Sequence, residues 1–489
     1  MPGDLGQLED RLRAAYADAA ETVWPEHVSE RAPAATGAVR WRAAARTRSR
    51  RTSAPAAAAA VLVIVITATV IPQVLQSGSR HRGGAPSAAE HSHMAYVVTQ
   101  RDLLIPVNLA ASITLKPILL GVAGGEAGIA ISPDGTLVYV LTVRGQLVPV
   151  DVRTGTAGQP IKVGGDSQDL VMTPDGKAAY VLEPPYGVVA VDLATRSALG
   201  LIKVHNASSF ALTPNGKTLY VLSVTTSTAA STGVPVLTAI DTATNAIAGT
   251  LTLTGPDLHS RCPSTGHGSG PNSMCLPRGW HVMQQSVTVA PDGKTVYVTY
   301  ESVNNRTSRK SGFIIPVGVA SNSELKPIAV SGSAASVWTG NALDFAINPD
   351  SQTGYLAGLR SVYPIDLRTG AVLPSVPVPA SHNLDFGYDL TPSPDGQRLY
   401  MIQNIGSTVV PVDTATSTAL PPIQLAGWPH WMLDEGVFAP GGKTLYVLSY
   451  ASSNSALQAG RMTPINGATG RVGKPIDIPA GLDGIVFSP

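Results

Sequence analysis

From about residue 95 to the end, short apolar stretches alternate with turn-forming clusters at a steady beat. Val287 and Val289 alternate with polar neighbours, Ala290-Pro291-Asp292-Gly293-Lys294 interrupts them, and the β-branched and aromatic run Thr295-Val296-Tyr297-Val298-Thr299 follows. Two-residue periodicity on both sides of a Pro-Asp-Gly cluster predicts a β-hairpin. Pro presets φ for the first corner of a type I turn. Asp bonds back to the local backbone, and Gly accepts positive φ without steric cost.

The phrase returns as SPDGTLVYVLT from Ser132, TPDGKAAYVLE from Thr173, TPNGKTLYVLS from Thr213, NPDSQTGYLAG from Asn348, SPDGQRLYMIQ from Ser393 and APGGKTLYVLS from Ala439. Asn215 keeps the Asx chemistry and Gly441 costs nothing sterically, whereas Ser351 stands where Gly usually does. A looser or different turn is expected at the Asn348 copy. Each hairpin is followed by a third apolar stretch ending in an Asp/Asn-x-x-Thr-Gly-like turn, as in QLVPVDVRTG from Gln146 and SVYPIDLRTG from Ser361, and then by a fourth, such as Ile161-Lys162-Val163. Four short strands in about 40–45 residues is the period of a propeller blade. The chain ends in GIVFSP, the first strand of a unit, while AYVVTQ from Ala95 and LLIPVNLA from Leu103 are a second and third strand without a first. A split blade that closes the ring is therefore expected, because closure removes exposed sheet edges. The prediction is an all-β fold: a propeller of four-stranded blades, eight by repeat count, with seven as the alternative if the Asn348 unit is absorbed elsewhere.

The Tyr-Val-Thr ending, the Pro-Asp-Gly turns and the Val-x-Asp-x-x-Thr-Gly phrases resemble the YVTN-type β-propeller repeats over residues 95–489. That resemblance implies a bacterial surface or periplasmic propeller. Its usual blade count is seven, so eight is a departure. Folds of this kind host binding, scaffolding and several chemistries, so the resemblance implies architecture more than activity.

The first 94 residues follow a different pattern. Leu5, Leu8, Leu12, Ala15 and Ala19 recur at helical spacing, predicting a short amphipathic helix that Trp24-Pro25 ends. Arg40, Arg42, Arg46, Arg48, Arg50 and Arg51 precede an uncharged stretch, Ala54 to Gln76. Its length suits a bilayer-crossing helix, and the basic flank places the N-terminus inside. The expected organisation is a cytoplasmic segment 1–53, a transmembrane helix 54–76, a flexible linker 77–94 and a propeller 95–489. The localisation that follows is single-pass in the cytoplasmic membrane with the propeller outside; the alternative is secretion after cleavage of a signal peptide. Cys262 and Cys275 share one long Gly/Pro/Ser-rich insertion. In an oxidising compartment they are expected to pair as a disulfide. Metal binding with His259, His267 and His281 is the weaker alternative, since the spacing fits no familiar zinc pattern.

Composition changes the picture little. Charged residues are 14% and net charge is +1, which gives no strongly basic field, so nucleic acid is not expected as a partner. The repeated Asp residues of both turn phrases read as structural, because a catalytic pair needs unlike environments. No covalent-haem, nucleophile-elbow or Walker motif is present. No catalytic residue, metal or cofactor is expected. The informative positions are departures from the repeat, on stretches that lead into first strands: Trp280 and His281; His382 and Asp385; Trp428, His430, Trp431, Asp434 and Glu435. They form a candidate binding surface for a protein or a cell-wall polymer outside the membrane. Two other readings stand beside it: a lactonase-like hydrolase at the channel, and a sensor that couples the outer propeller to a cytoplasmic partner.

Overall fold

The Pro-Asp-Gly phrase folds into the hairpin its residues predict. Strands Trp280–Val289 and Thr295–Asn304 pair antiparallel with Val289 opposite Val296. Ala290 N donates to Thr295 O and Gly293 N to Ala290 O, with Gly293 at φ 70°. The computed structural model describes residues 93–99, 102–122, 125–226, 233–254, 274–275, 280–304, 309–330, 345–358, 360–379, 388–403, 407–425, 431–451, 459–479 and 481–489. The predicted amphipathic helix, membrane span and linker, and Cys262, lie outside those residues, apart from His93 and Met94 at the linker's end.

Each repeat makes one antiparallel sheet, and there are eight sheets. Blade 1 joins the two ends of the described chain: Leu482–Phe487 pairs with Met94–Thr99, Ala95 opposite Phe487, and Leu103–Asn108 lies beyond. The inner strands of blades 2 to 8 are Glu126–Ile131, Asp169–Met172, Ala207–Leu212, Trp280–Val289, Phe345–Ile347, Tyr388–Pro392 and Trp431–Phe438. The Asn348 unit forms its own sheet, so the count is eight. Its turn is also regular, against expectation. Ser351 takes φ 60°, its N donates to Asn348 O at 2.8 Å, and Gln352 N reaches Asp350 Oδ1 at 2.9 Å. Ser351 Oγ accepts Asp292 N of blade 5 at 3.0 Å, which offsets the cost of a left-handed non-glycine residue.

The core is divided among eight seams. Eight apolar clusters each join one blade to the next, the last joining blade 8 to blade 1. Period-2 alternation produces this: Tyr96 and Val98 enter the blade 1–2 seam while Val97 enters the blade 8–1 seam. The tyrosine of every repeat points into the seam with the following blade. Tyr180 Oη there bonds Asn245 Oδ1 at 2.7 Å, and Tyr400 Oη bonds Gly467 O at 2.5 Å. The outer edges are blunted in two ways. In six blades a proline splits the outer strand (Pro117, Pro160, Pro327, Pro374, Pro421 and Pro475). Blades 3 and 4 keep continuous outer strands, Ser197–Lys203 and Ala246–Thr252, each with a bulge beside Gly200 or Gly249.

Strand direction separates two faces. The Pro-Asp-Gly and Asp-x-x-Thr turns gather on one, the turn face. The connections into first strands and between second and third strands emerge on the other, the loop face.

Candidate functional site

On the turn face the repeated carboxylates are occupied by backbone. Asp175 Oδ1 accepts from Thr173 Oγ1 at 2.7 Å and from Lys177 N at 3.1 Å, which holds its pKa below the usual carboxylate range. Asp151 Oδ1 accepts Thr154 N at 3.0 Å and Arg153 N at 2.9 Å, and its pKa is lowered for the same reason. Asp192, Asp366 and Asp413 repeat the arrangement. These groups organise turns, as their recurrence implied. The turns also interlock. A Cβ placed on Gly176 would stand 2.7 Å from Pro133 Cδ of blade 2, and one on Gly216 2.6 Å from Pro174 Cδ of blade 3. Proline of one turn therefore rests on glycine of the next around the ring.

The loop face holds the candidate residues. Trp280 and His281 open the inner strand of blade 5, opposite Asn304 and Val303, and a short strand Met274–Cys275 lies beside them with Cys275 opposite His281. Trp431 opens the inner strand of blade 8, opposite Ala451. Blade 6 and blade 7 separate these two strands, so the fold places the residues on one face and in two sectors. His382, Asp385, Trp428 and His430 lie outside the described residues.

Asp434 and Glu435 together face one residue, Leu448, across a β-bulge: Leu433 pairs with Ser449 and Gly436 with Val447. A bulge bends the strand and re-aims its side chains. Glu435 is buried at 7% exposure. Across the blade 7–8 seam stands a residue the candidate set lacks, Asp389, on the inner strand of blade 7. Its Oδ2 accepts Gly436 N at 2.8 Å and contacts Thr391 Oγ1 at 3.0 Å, and the same Thr391 hydroxyl lies 2.8 Å from Gly436 O. A Cβ on Gly436 would fall on Ile402 Cδ1, so glycine permits this approach. Burial pushes Asp389 up to about 6 against its two hydrogen bonds, and the Asp434 charge adds to the rise. Burial raises Glu435 well above the usual carboxyl range, and the Asp434 and Asp389 charges reinforce it.

Two further acids sit at the corresponding end of blade 3. Asp169 begins its inner strand at 5% exposure; burial pushes it up to about 8, against the hydrogen bond from Leu170 N at 2.8 Å. Glu183, at the end of the second strand, accepts Gly165 N at 3.1 Å, Asp166 N at 3.3 Å and the Ser167 hydroxyl. That carboxylate fixes the approach to the inner strand. A sequence signal for Asp169 and Asp389 existed: each is an acid within a first strand that is mainly apolar. Among the described residues no group of three His, Cys, Asp or Glu is placed to hold a metal ion.

No family model and no curated protein matches this chain. Among solved structures, dihydro-heme d1 dehydrogenase NirN in complex with DHE is 15% identical, with 84% of this chain and 78% of that one covered and a TM-score of 0.52. Kuenenia stuttgartiensis hydrazine synthase is 16% identical over 69% of this chain and 94% of that one, with a TM-score of 0.46. A eukaryotic initiation factor is 13% identical over 81% and 99%, with a TM-score of 0.47. The likeness to the first is one of propeller fold alone.

Proposed function

We propose that this protein is a membrane-anchored, extracytoplasmic propeller of the YVTN type whose loop face is a non-catalytic binding surface for a protein or cell-wall polymer. The supporting observation is the inequality of the two faces. The turn face repeats one closed design, with its carboxylates bound by their own backbone. The stretches that depart from the repeat all leave or enter strands on the loop face. A rigid ring presenting variable connections is the usual arrangement of a recognition module. The anchor at 54–76, the inside N-terminus and the Cys262–Cys275 disulfide belong to the same proposal and rest on sequence.

The test is crosslinking of the full-length protein in its own cells, with the triple substitution Trp428→Ala, His430→Ala, Trp431→Ala as comparator. Loss of a specific crosslinked partner with unchanged thermal unfolding supports the reading. Capture that is indifferent to the substitutions refutes it. A cytoplasm-only reporter fused after Pro489 should be inactive; activity would refute the outside placement. The lactonase-like hydrolase is the second reading, favoured by the raised acids Asp389 and Glu435 at the loop end of blades 7 and 8. A hydrolase screen of the purified protein separates it from binding. Deleting residues 5–23 tests the third reading, a sensor with an inner partner: an unchanged phenotype counts against it.

A further inference from the structure

Proline closes most of the rim at one equivalent position. Ile118, Ile161, Ile328, Ile423 and Ile476 pair with the third strands of blades 1, 2, 5, 7 and 8, and each follows a proline: Pro117, Pro160, Pro327, Pro422 and Pro475. Blade 6 has Pro374 one place earlier, before Ser375 and Val376. A proline there has no N–H to offer and obstructs an added strand. In blade 3 the equivalent pair is Val188 with Ile202, and the residue before Ile202 is Leu201. Val204 N donates inward to Tyr186 O at 3.1 Å, and Ile202 O and Val204 N both crowd the place of a Cβ on Gly187. Alternation along an antiparallel pair then points the N–H and C=O of Leu201 and Lys203 away from the blade. Among the described residues these four groups have no backbone partner. The bulge does not close this stretch: it sets Ala198 and Leu199 against Val191, and the register from Gly200 to Lys203 is unbroken. Leu199 is 55% exposed and Leu201 41%, and Tyr186, at the loop-face end of the edge, is 57% exposed.

We propose that the outer edge of blade 3 is a docking site for an extended segment of another protein, apolar in its middle and acidic at its ends, which adds to the blade as a fifth strand. Outward backbone groups select an extended segment, because a strand matches their spacing. Exposed leucines select an apolar middle. Charge selects the ends. Arg196 precedes the strand Ser197–Lys203 and Lys203 closes it; both are exposed, and neither has an ion pair among the described residues. The nearest acid in sequence, Asp192, is held by Ala194 N and Thr195 N of its own turn. The same charges disfavour a second copy. Antiparallel pairing of two such edges brings Lys203 of each toward Arg196 of the other, with no acid of the strand between them. Blade 4, the other blade with a continuous outer strand, has no charged residue in Ala246–Thr252 and so lacks this selectivity. The site lies on the rim, so it stands whatever the loop face does.

The test is fluorescence anisotropy of the full-length protein with two labelled peptides, Asp-Val-Thr-Val-Thr-Val-Asp and Lys-Val-Thr-Val-Thr-Val-Lys. The first should bind about tenfold more tightly than the second at low salt, and added salt should narrow the gap. Leu201→Pro installs the residue that five other blades carry and removes no bond within the blade. It should weaken binding of the acidic peptide about tenfold, with thermal unfolding unchanged. Thr250→Pro, the same change in blade 4, should leave that binding as it was. If Leu201→Pro fails to fold, Lys203→Glu on the exposed end of the strand carries the test, and it should abolish the preference for the acidic peptide. No saturable binding of the acidic peptide, equal binding of the two, or a preference that survives Lys203→Glu overturns the proposal. Binding indifferent to a folded Leu201→Pro, or lost in Thr250→Pro instead, overturns it as well. So does a concentration-dependent dimer that Leu201→Pro abolishes, which would assign the edge to a second copy.

Discussion

Two glycines with the same turn and nearly the same dihedral separate local from inter-blade cost. Gly216 and Gly293 both have φ 70°, and both follow a Pro-Asn or Pro-Asp corner. Alanine at either must enter the left-handed region, at roughly 1–2 kcal/mol. At Gly293 the added Cβ would meet Pro214 Cδ at 3.5 Å, an ordinary contact. At Gly216 it would stand 2.6 Å from Pro174 Cδ, so the turn of blade 3 or blade 4 must move. Overpacking of that kind costs about 1–3 kcal/mol more. Gly293→Ala should therefore destabilise by about 1–2 kcal/mol and Gly216→Ala by about 2–5 kcal/mol. The assay is urea unfolding of each full-length variant, followed by intrinsic fluorescence. A third variant, Gly441→Ala, has φ 88° with nothing within 4 Å and should match Gly293→Ala. Equal losses at Gly216 and Gly293 would refute the interlocking of turns around the ring.

Tyr400→Phe removes the hydrogen bond to Gly467 O and should lower stability by about 1 kcal/mol by the same unfolding assay, without altering the secondary-structure signal in circular dichroism. Asp175→Asn should be nearly neutral, as the natural Asn215 implies, while Asp175→Ala should cost about 1 kcal/mol; the exposed Lys177 pair at 3.6 Å contributes little to either. Glu183→Ala should release residues 165–167, read as faster amide exchange there with the rest of blade 3 still protected. Asp169 is held at about 8 when folded and near its ordinary value when unfolded, so its contribution is whole below about pH 4 and lost as pH rises through 8. Asp169→Asn should flatten the decline of the melting temperature between pH 6 and pH 9; an unchanged decline would refute the assignment.

Much of this molecule was legible in local pattern. Alternation around Pro-Asp-Gly marks hairpins because side-chain direction and turn dihedrals are set by neighbours in sequence. The split blade was legible too, since the orphan strand Leu482–Phe487 and the incomplete unit at Met94 complete each other. The Asn348 turn was misjudged because its Ser351 is stabilised by Asp292 N, a group of another blade. The candidate site was legible only in part. Tryptophans, histidines and acids on irregular stretches were visible, but nothing local to Asp389 showed which group of the next blade it would face.

By itself, then, the sequence determined the repeating unit and the split-blade closure, consequences of short-range stereochemistry repeated at a constant period, while the choice of eight blades over seven came from the structure. The tertiary structure alone decided what each repeated residue touches. It turned the tyrosine into a pin for the following blade, and it set proline on the next blade's glycine. It also brought Asp389 of blade 7 against Gly436 of blade 8. Those contacts join residues tens of positions apart, and their geometry is fixed by how twisted sheets pack around a closed ring, which no local pattern encodes.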